Sequence, residues 1–291
     1  MSGDGRLTQE RLRELRRAAI AVRRHLIDAV HHAGAGHLGG PLSAADILVA
    51  LYFELLRIDP QDPQDPQRDR FILSKGHSSI GLYATLAMRG YFAVEELRTF
   101  DRLDSRLQGH PDMTVLPGID MSSGSLGQGL SPGIGMALAA RLQRHDYHTW
   151  VLLGDGDSQE GQIWEAAAVA SRYRLGNLTA ILDWNGLQQY GWATDSGYTD
   201  LARQPAQENP VERWRSFGWA TIAIDGHDLN EIVDAGHRAR ATEAPTIVVA
   251  RTTKGRGISF MENDFNWHAK PPSDEELQVA LGELAAQEAA L

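Results

Sequence analysis

Gly154-Asp155-Gly156 is followed by 28 residues (157–184) and then Asn185, which places a carboxylate and an amide oxygen where two consecutive strands would each end. Asp155 follows the apolar run Thr149-Trp-Val-Leu-Leu153, and Asn185 follows Leu178-Thr-Ala-Ile-Leu-Asp183; both runs read as buried strands. Between them, residues 160–174 carry apolar side chains at helical spacing and predict a crossover helix. In such a βαβ unit the two strands are parallel neighbours, so both oxygens reach the carboxyl edge of the sheet, where open α/β sheets bind ligands. Magnesium takes hard oxygen ligands and completes its octahedron with phosphate and water, so this pattern reads as a cradle for Mg²⁺ and a diphosphate. The tripeptide alone is an ordinary turn. The spacing to Asn185 and the Glu160-Gly161 pair that opens the helix are what carry the reading.

These ligands need a scaffold, and the rest of the chain predicts one. Thr8 caps a helix running to about Ala33, which Gly34 and Gly36 stop. Its Arg11, Arg13, Arg16, Arg17, Arg23 and Arg24 read as a solvated or partner-facing surface. Ser43, with Asp46 three residues on, starts a second helix through Arg57 in the manner of a capping box. Residues 59–66 form a proline-broken loop, Phe71-Ile-Leu73 a short strand, 79–89 a helix, and 94–103 a charged helix. The glycine-rich loop 122–129 leads into an apolar helix over 132–142. A helix near 211–217, a strand at 221–224, a helix at 229–241 and a strand at 246–250 complete the series. Strands alternating with helices predict one α/β domain with a doubly wound, mostly parallel sheet and helices on both faces. It spans residues 1–272, with 273–291 a terminal helix or tail that contacts another subunit.

Bulk properties narrow the function classes. The chain has 291 residues, enough for one large core. A net charge of −10 argues against nucleic acid or an anionic membrane as partner. Cysteine is absent, which excludes disulfides, thiolate catalysis and cysteine-based metal centres. With no signal-like N-terminus and no apolar run of membrane-spanning length, a cytoplasmic location is expected.

The motifs also occur together in one order: Gly36-His37 with Gly39-Gly40, Asp69-Arg-Phe-Ile-Leu-Ser-Lys-Gly-His77, Gly109-His-Pro111, Ser123-Gly-Ser-Leu-Gly-Gln-Gly129, Gly154-Asp-Gly156 with Gln159-Glu-Gly161, Asp183-Trp-Asn185 and Trp267-His268. In that order they resemble the N-terminal, diphosphate-binding domain of transketolases over nearly the whole chain. The resemblance implies the thiamine diphosphate-binding fold of the pyrophosphate type, with thiamine diphosphate and Mg²⁺ (or Ca²⁺ or Mn²⁺) as cofactors. Full-length transketolases continue into a pyrimidine-binding and a C-terminal domain. This chain therefore resembles the N-terminal subunit of a split transketolase, with the other half a separate polypeptide in an α2β2 heterotetramer. The partner would supply the glutamate that engages the pyrimidine ring, leaving this chain inactive alone. The implied reaction moves a two-carbon ketol unit from a ketose or ketose phosphate to an aldose.

The same resemblance assigns roles. Asp155 and Asn185 would hold the metal by side-chain oxygens and Leu187 by its carbonyl. Gly154 and Gly156 would let backbone approach the diphosphate, while Gly124 and Leu126 would meet the aminopyrimidine. Glu160 matches an acidic residue that links paired active sites, and equally suits a carboxylate at a helix N-terminus. His37, His77, His110 and His268 would contact substrate hydroxyls or the diphosphate and move protons near neutral pH. His25, His31, His32, His145, His148 and His237 read as surface or packing residues. Lys75, Lys254 and Arg256 would add positive charge near the anion, although Arg256 also reads as a solvated loop residue. Leu38, Trp184, the 188–190 segment and Ala269 depart from the usual pattern and leave sugar specificity open. Two alternatives stand beside this: the α-type subunit of a two-component 2-oxo acid dehydrogenase, and a non-catalytic regulatory homologue. Histidines at 37, 77, 110 and 268 favour hydroxyl-rich substrates over 2-oxo acids.

Overall fold

The computed structural model describes residues 7–188 and 209–291. Helix α1 (Gln9–Ala33) is capped by Thr8, whose hydroxyl accepts from Arg11 N, and ends at Gly34 in the left-handed conformation. Its Leu12, Leu15, Ala19, Val22, Leu26 and Val30 recur at helical spacing and are buried. Helix α2 (Gly39–Ala50) is buried along its whole length and widens into a π turn over Leu51–Leu55. The expected capping box at Ser43 does not form. Ser43 lies inside α2 and its hydroxyl donates to Gly40 O and to Asp183, while Asp46 pairs with Arg23. Arg23 is accordingly buried at 5% exposure, a correction to its reading as a solvated residue. The charged stretch expected as a helix over 94–103 is instead a 3-10 turn, Val94–Thr99.

Five parallel strands form one sheet: β1 (Arg70–Leu73), β2 (Thr149–Gly154), β3 (Leu178–Trp184), β4 (Ala220–Asp225) and β5 (Thr246–Arg251), in the order β1-β2-β3-β5-β4. The central strands are covered on both faces, so their sequences are continuously apolar. Side chains alternate between the layers. Trp150 and Leu152 of β2 join a core with α1, α2, α3 (Ser79–Arg89) and α7 (Leu229–Arg240). Val151 and Leu153 join the opposite core with α4 (Leu130–Gln143), α5 (Gly161–Arg172) and α6 (Pro210–Ser216). This is the doubly wound arrangement expected. Helix α8 (Asp274–Ala289) opens with a complete capping box between Ser273 and Glu276. It buries Leu277, Ala280 and Leu284 against the α1 side of this same chain. Among the described residues, no helix is long and apolar enough to cross a membrane.

Candidate cofactor site at the carboxyl edge of the sheet

Register decides which chain ends meet. Gly154 pairs with Asp183 across β2 and β3, so Asp155 and Asn185 leave adjacent strands on the same rim. There, Asp155 Oδ2 accepts from the backbone N–H of Asn185 (3.0 Å) and Gly186 (2.9 Å). Among the described residues Asp155 Oδ1 is buried and without a partner, an oxygen left free for a cation. Asn185 Oδ1 accepts from Leu187 N at 3.1 Å, and Leu187 O lies 3.5 Å from Lys254 Nζ. Among the described residues no cluster of three or more acidic, histidine or cysteine side chains could hold a metal. The donor set is two side chains and a carbonyl, which fits an ion that takes its remaining ligands from phosphate. Burial, reinforced by nearby Asp183, pushes the Asp155 carboxyl up to about 7, and the two backbone N–H groups oppose the shift.

These atoms line a cavity of about 350 Å³. Of the residues singled out in the sequence, it gathers His37, His77, Leu126, Gly154, Asp155, Gly156, Glu160, Asn185, Leu187 and His268, together with Lys75 and Lys254. A Cβ on Gly156 would stand 3.0 Å from Leu126 Cδ1, so the glycine lets this rim close on the leucine. His110 and Gly124 lie beside the cavity and against each other: a Cβ at Gly124 would meet the His110 ring at 3.1 Å. Glu160 stands exposed at the N-cap of α5 and makes no side-chain capping bond. Arg256 lies outside the cavity lining and pairs with Glu262 at 3.6 Å. Of the unusual 188–190 segment, residues 189 and 190 fall outside the described residues.

Three histidines form a triangle over the cavity, with ring centroids 5.1 Å apart for His37 and His77, 5.3 Å for His37 and His268, and 5.1 Å for His77 and His268. Burial, followed by the charge of Lys254, lowers His268 to about 3. Burial, with Lys75 next, takes His77 well below its ordinary value, and burial followed by His110 lowers His37. All three imidazoles are therefore neutral at neutral pH. Lys254 Nζ lies 2.7 Å from His268 Nδ1; an ammonium can only donate, so the His268 proton sits on Nε2. Burial, followed by repulsion from Lys75, lowers Lys254 itself to about 8.

Two buried carboxylates that the motif reading passes over hold the rim together. Asp183 accepts from Ser43 Oγ (2.7 Å), Lys75 Nζ and Thr252 Oγ1, joining α2 to the ends of β1, β3 and β5. Asp157 Oδ1 accepts from Ser74 Oγ (2.6 Å) and Gly127 N (2.7 Å), and its Oδ2 from Gly154 N (2.8 Å). The strand ends and the glycine-rich loop are thus locked to one another. The only trace of Asp157 in the sequence is an acidic residue two positions past Asp155, while Asp183 is visible within Asp183-Trp-Asn185 but without a role.

A family model described as "Transketolase, thiamine diphosphate binding domain" matches residues 15–288. The 6-deoxy-6-sulfo-D-fructose transketolase subunit SqwG of Clostridium sp. (strain MSTE9) is 41% identical over 276 residues, covering 93% of this chain and 96% of that one. An apulose-4-phosphate transketolase subunit of Phocaeicola vulgatus is 40% identical, covering 90% of this chain and 91% of that one. Human transketolase is 39% identical across 96% of this chain, which spans only 43% of the human enzyme. The crystal structure of a Pichia stipitis transketolase mutant superposes with a TM-score of 0.84 at 34% identity, over 93% of this chain and 40% of that one. With the family model, the near-complete overlap with transketolase subunits and the shared fold all in agreement, this chain belongs to the transketolase family as a thiamine diphosphate-binding domain.

Proposed function

We propose that this chain is the cofactor-binding subunit of a two-polypeptide transketolase that moves a two-carbon ketol unit from a ketose or ketose phosphate to an aldose. The observation that carries the reading is the orphaned Asp155 Oδ1, buried beside Asn185 at neighbouring strand ends beneath three neutral histidines. Near-complete coverage of relatives named as transketolase subunits supports a separate partner polypeptide, and we read the assembly as an α2β2 heterotetramer.

Asp155 and Asn185 would hold a divalent cation, Mg²⁺ or in its place Ca²⁺ or Mn²⁺, with Leu187 O as third ligand. When bound, thiamine diphosphate supplies the electron sink for breaking the sugar's C2–C3 bond. Buried Lys75 and Lys254 offset the charge of its diphosphate, and Gly154 and Gly156 give its oxygens room beside the backbone. Leu126 and Gly124 supply an apolar wall for the ring. His37 and His77, held neutral by burial, accept and return the protons of substrate hydroxyls, His268 donates its Nε2–H to a substrate oxygen, and His110 at the mouth orients the donor sugar. Glu160, exposed beside the cavity, faces the region that a partner polypeptide would cover. Asp155→Ala removes the free oxygen and is expected to abolish Mg²⁺-dependent retention of thiamine diphosphate. Calorimetry giving the same affinity for variant and wild type would refute the metal role.

A further inference from the structure

We propose that His227 is a positioning residue for the Thr252–Gly257 loop, a neutral imidazole clamped between Asp46 and the Thr253 amide that sets where Lys254 stands in the cofactor cavity. The inference rests on the functional reading above. His227 lies between β4 and α7, outside every motif that marked the site. Its Nδ1 is 2.8 Å from Asp46 Oδ2, and its Nε2 accepts from Thr253 N at 2.8 Å. A carboxylate only accepts and an amide N–H only donates, so both bonds require the proton on Nδ1 and a free lone pair on Nε2.

The clamp is anchored at depth. Arg23 donates to both Asp46 oxygens, at 3.1 and 2.6 Å, and also to Leu42 O at 3.2 Å. Both residues are buried, so a fixed carboxylate, not a mobile surface one, orients the ring. On the other side, the residue after Thr253 is Lys254, buried at 2% exposure and reaching His268 Nδ1 and Leu187 O. Other bonds also hold the loop, Thr252 Oγ1 to Asp183 and Thr252 N to Trp184 O (3.2 Å) on one side, and Asn263 N to Lys254 O (2.9 Å) and Gly255 N to Gly39 O (3.0 Å) on the other. The His227 bond falls between them, directly before the lysine. A buried ammonium is useful only in one place, since an ångström of drift separates it from its partners and from an arriving phosphate. Residues that orient a cofactor's direct contacts typically change affinity or activity by ten- to a hundredfold when lost.

The test compares His227→Leu, which removes both bonds, with His227→Gln, whose amide restores a donor and an acceptor, in the full chain. Two readouts are needed: hydrogen exchange of the Thr253 amide, and calorimetric titration of thiamine diphosphate in excess Mg²⁺. The leucine variant is expected to lose Thr253 protection and to weaken cofactor binding about tenfold. The glutamine variant should recover most of both. If His227 acts through Lys254, His227→Leu in a Lys254→Met background should add less than about a twofold further loss. Unchanged Thr253 exchange in His227→Leu, or a full tenfold loss added to Lys254→Met, would overturn the proposal. A wild-type chain that binds no cofactor even with its partner polypeptide present, with Thr253 protection still dependent on residue 227, would overturn the functional reading and leave the clamp supported.

Discussion

Asp157→Asn isolates how the cofactor rim is held. The wild-type carboxylate accepts three hydrogen bonds, from Ser74 Oγ and Gly127 N on one oxygen and from Gly154 N on the other. It is fully buried. Burial raises the Asp157 pKa and those bonds oppose the rise. Asparagine keeps the shape but has one acceptor oxygen. With that oxygen toward Ser74 and Gly127, its NH₂ confronts the Gly154 N–H. Turned over, the NH₂ is tolerated by the Ser74 hydroxyl, which can accept, but confronts the Gly127 N–H. In either orientation one buried backbone N–H loses its partner, at a cost of about 1–3 kcal/mol. A loss of about 2 kcal/mol is expected in denaturant titration, with a fall in Tm of roughly 3–6 °C. Cofactor affinity should fall as well, because the glycine-rich loop and the Gly154 turn are no longer tied. A variant within about 0.5 kcal/mol of wild type, with unchanged affinity, would refute the claim that this carboxylate organises the rim.

The remaining expectations test other links. Burial pushes the Asp46 carboxyl up, but Arg23 and His227 outweigh it and hold it below its ordinary 3.8. Its contribution is therefore full above pH 3.8 and declines as the pH falls towards the folded-state pKa. Asp46→Asn should cost about 3–5 kcal/mol at pH 7, and in the acid range the gap to wild type should narrow by up to about 1.4 kcal/mol per pH unit. A gap that stays constant from pH 6 to pH 3 would contradict the pairing. His37→Ala and His110→Ala should each lower kcat about a hundredfold in the reconstituted enzyme while cofactor affinity stays within about threefold; equal losses in both would place them on the cofactor instead of the sugar. Nitrogen NMR should find the His268 ring neutral from pH 8 to pH 5, protonated on Nε2, and a midpoint near 6.5 would remove the burial and Lys254 effects as its cause. The chain alone should show no ketol transfer from xylulose 5-phosphate to ribose 5-phosphate, and robust turnover would end the two-polypeptide reading.

Much of the fold is legible along the chain because its signals are local. Strands β2 and β3 are buried on both faces and read as continuous apolar runs, and α1 carries a cap, a period and a glycine stop within its own sequence. What misleads is local chemistry overruled by distant partners. Ser43 and Asp46 have the spacing of a capping box, yet the helix begins at Gly39, and both side chains bond to residues far away in sequence, Asp183 and Arg23. Arg23 reads as one of a row of surface arginines, since nothing within one helical turn signals a carboxylate waiting on α2. His227 escapes notice for the same reason: its meaning lies in Asp46 and Thr253, 181 and 26 residues away.

The order of strands and helices, the residues able to ligate a cation and the family are all written in periodicity, residue chemistry and motif order, which a linear chain carries without folding. That Asp155 keeps one oxygen free while its other is capped by Asn185 and Gly186 emerges only once the chain has folded. So do the closeness of three histidines, whose basicity burial lowers, and the buried carboxylates at 46, 157 and 183 that hold the rim in place. Burial and hydrogen-bond partnership depend on which segments meet across the sheet, and parallel strand register, which joins residues far apart in the chain, sets those meetings.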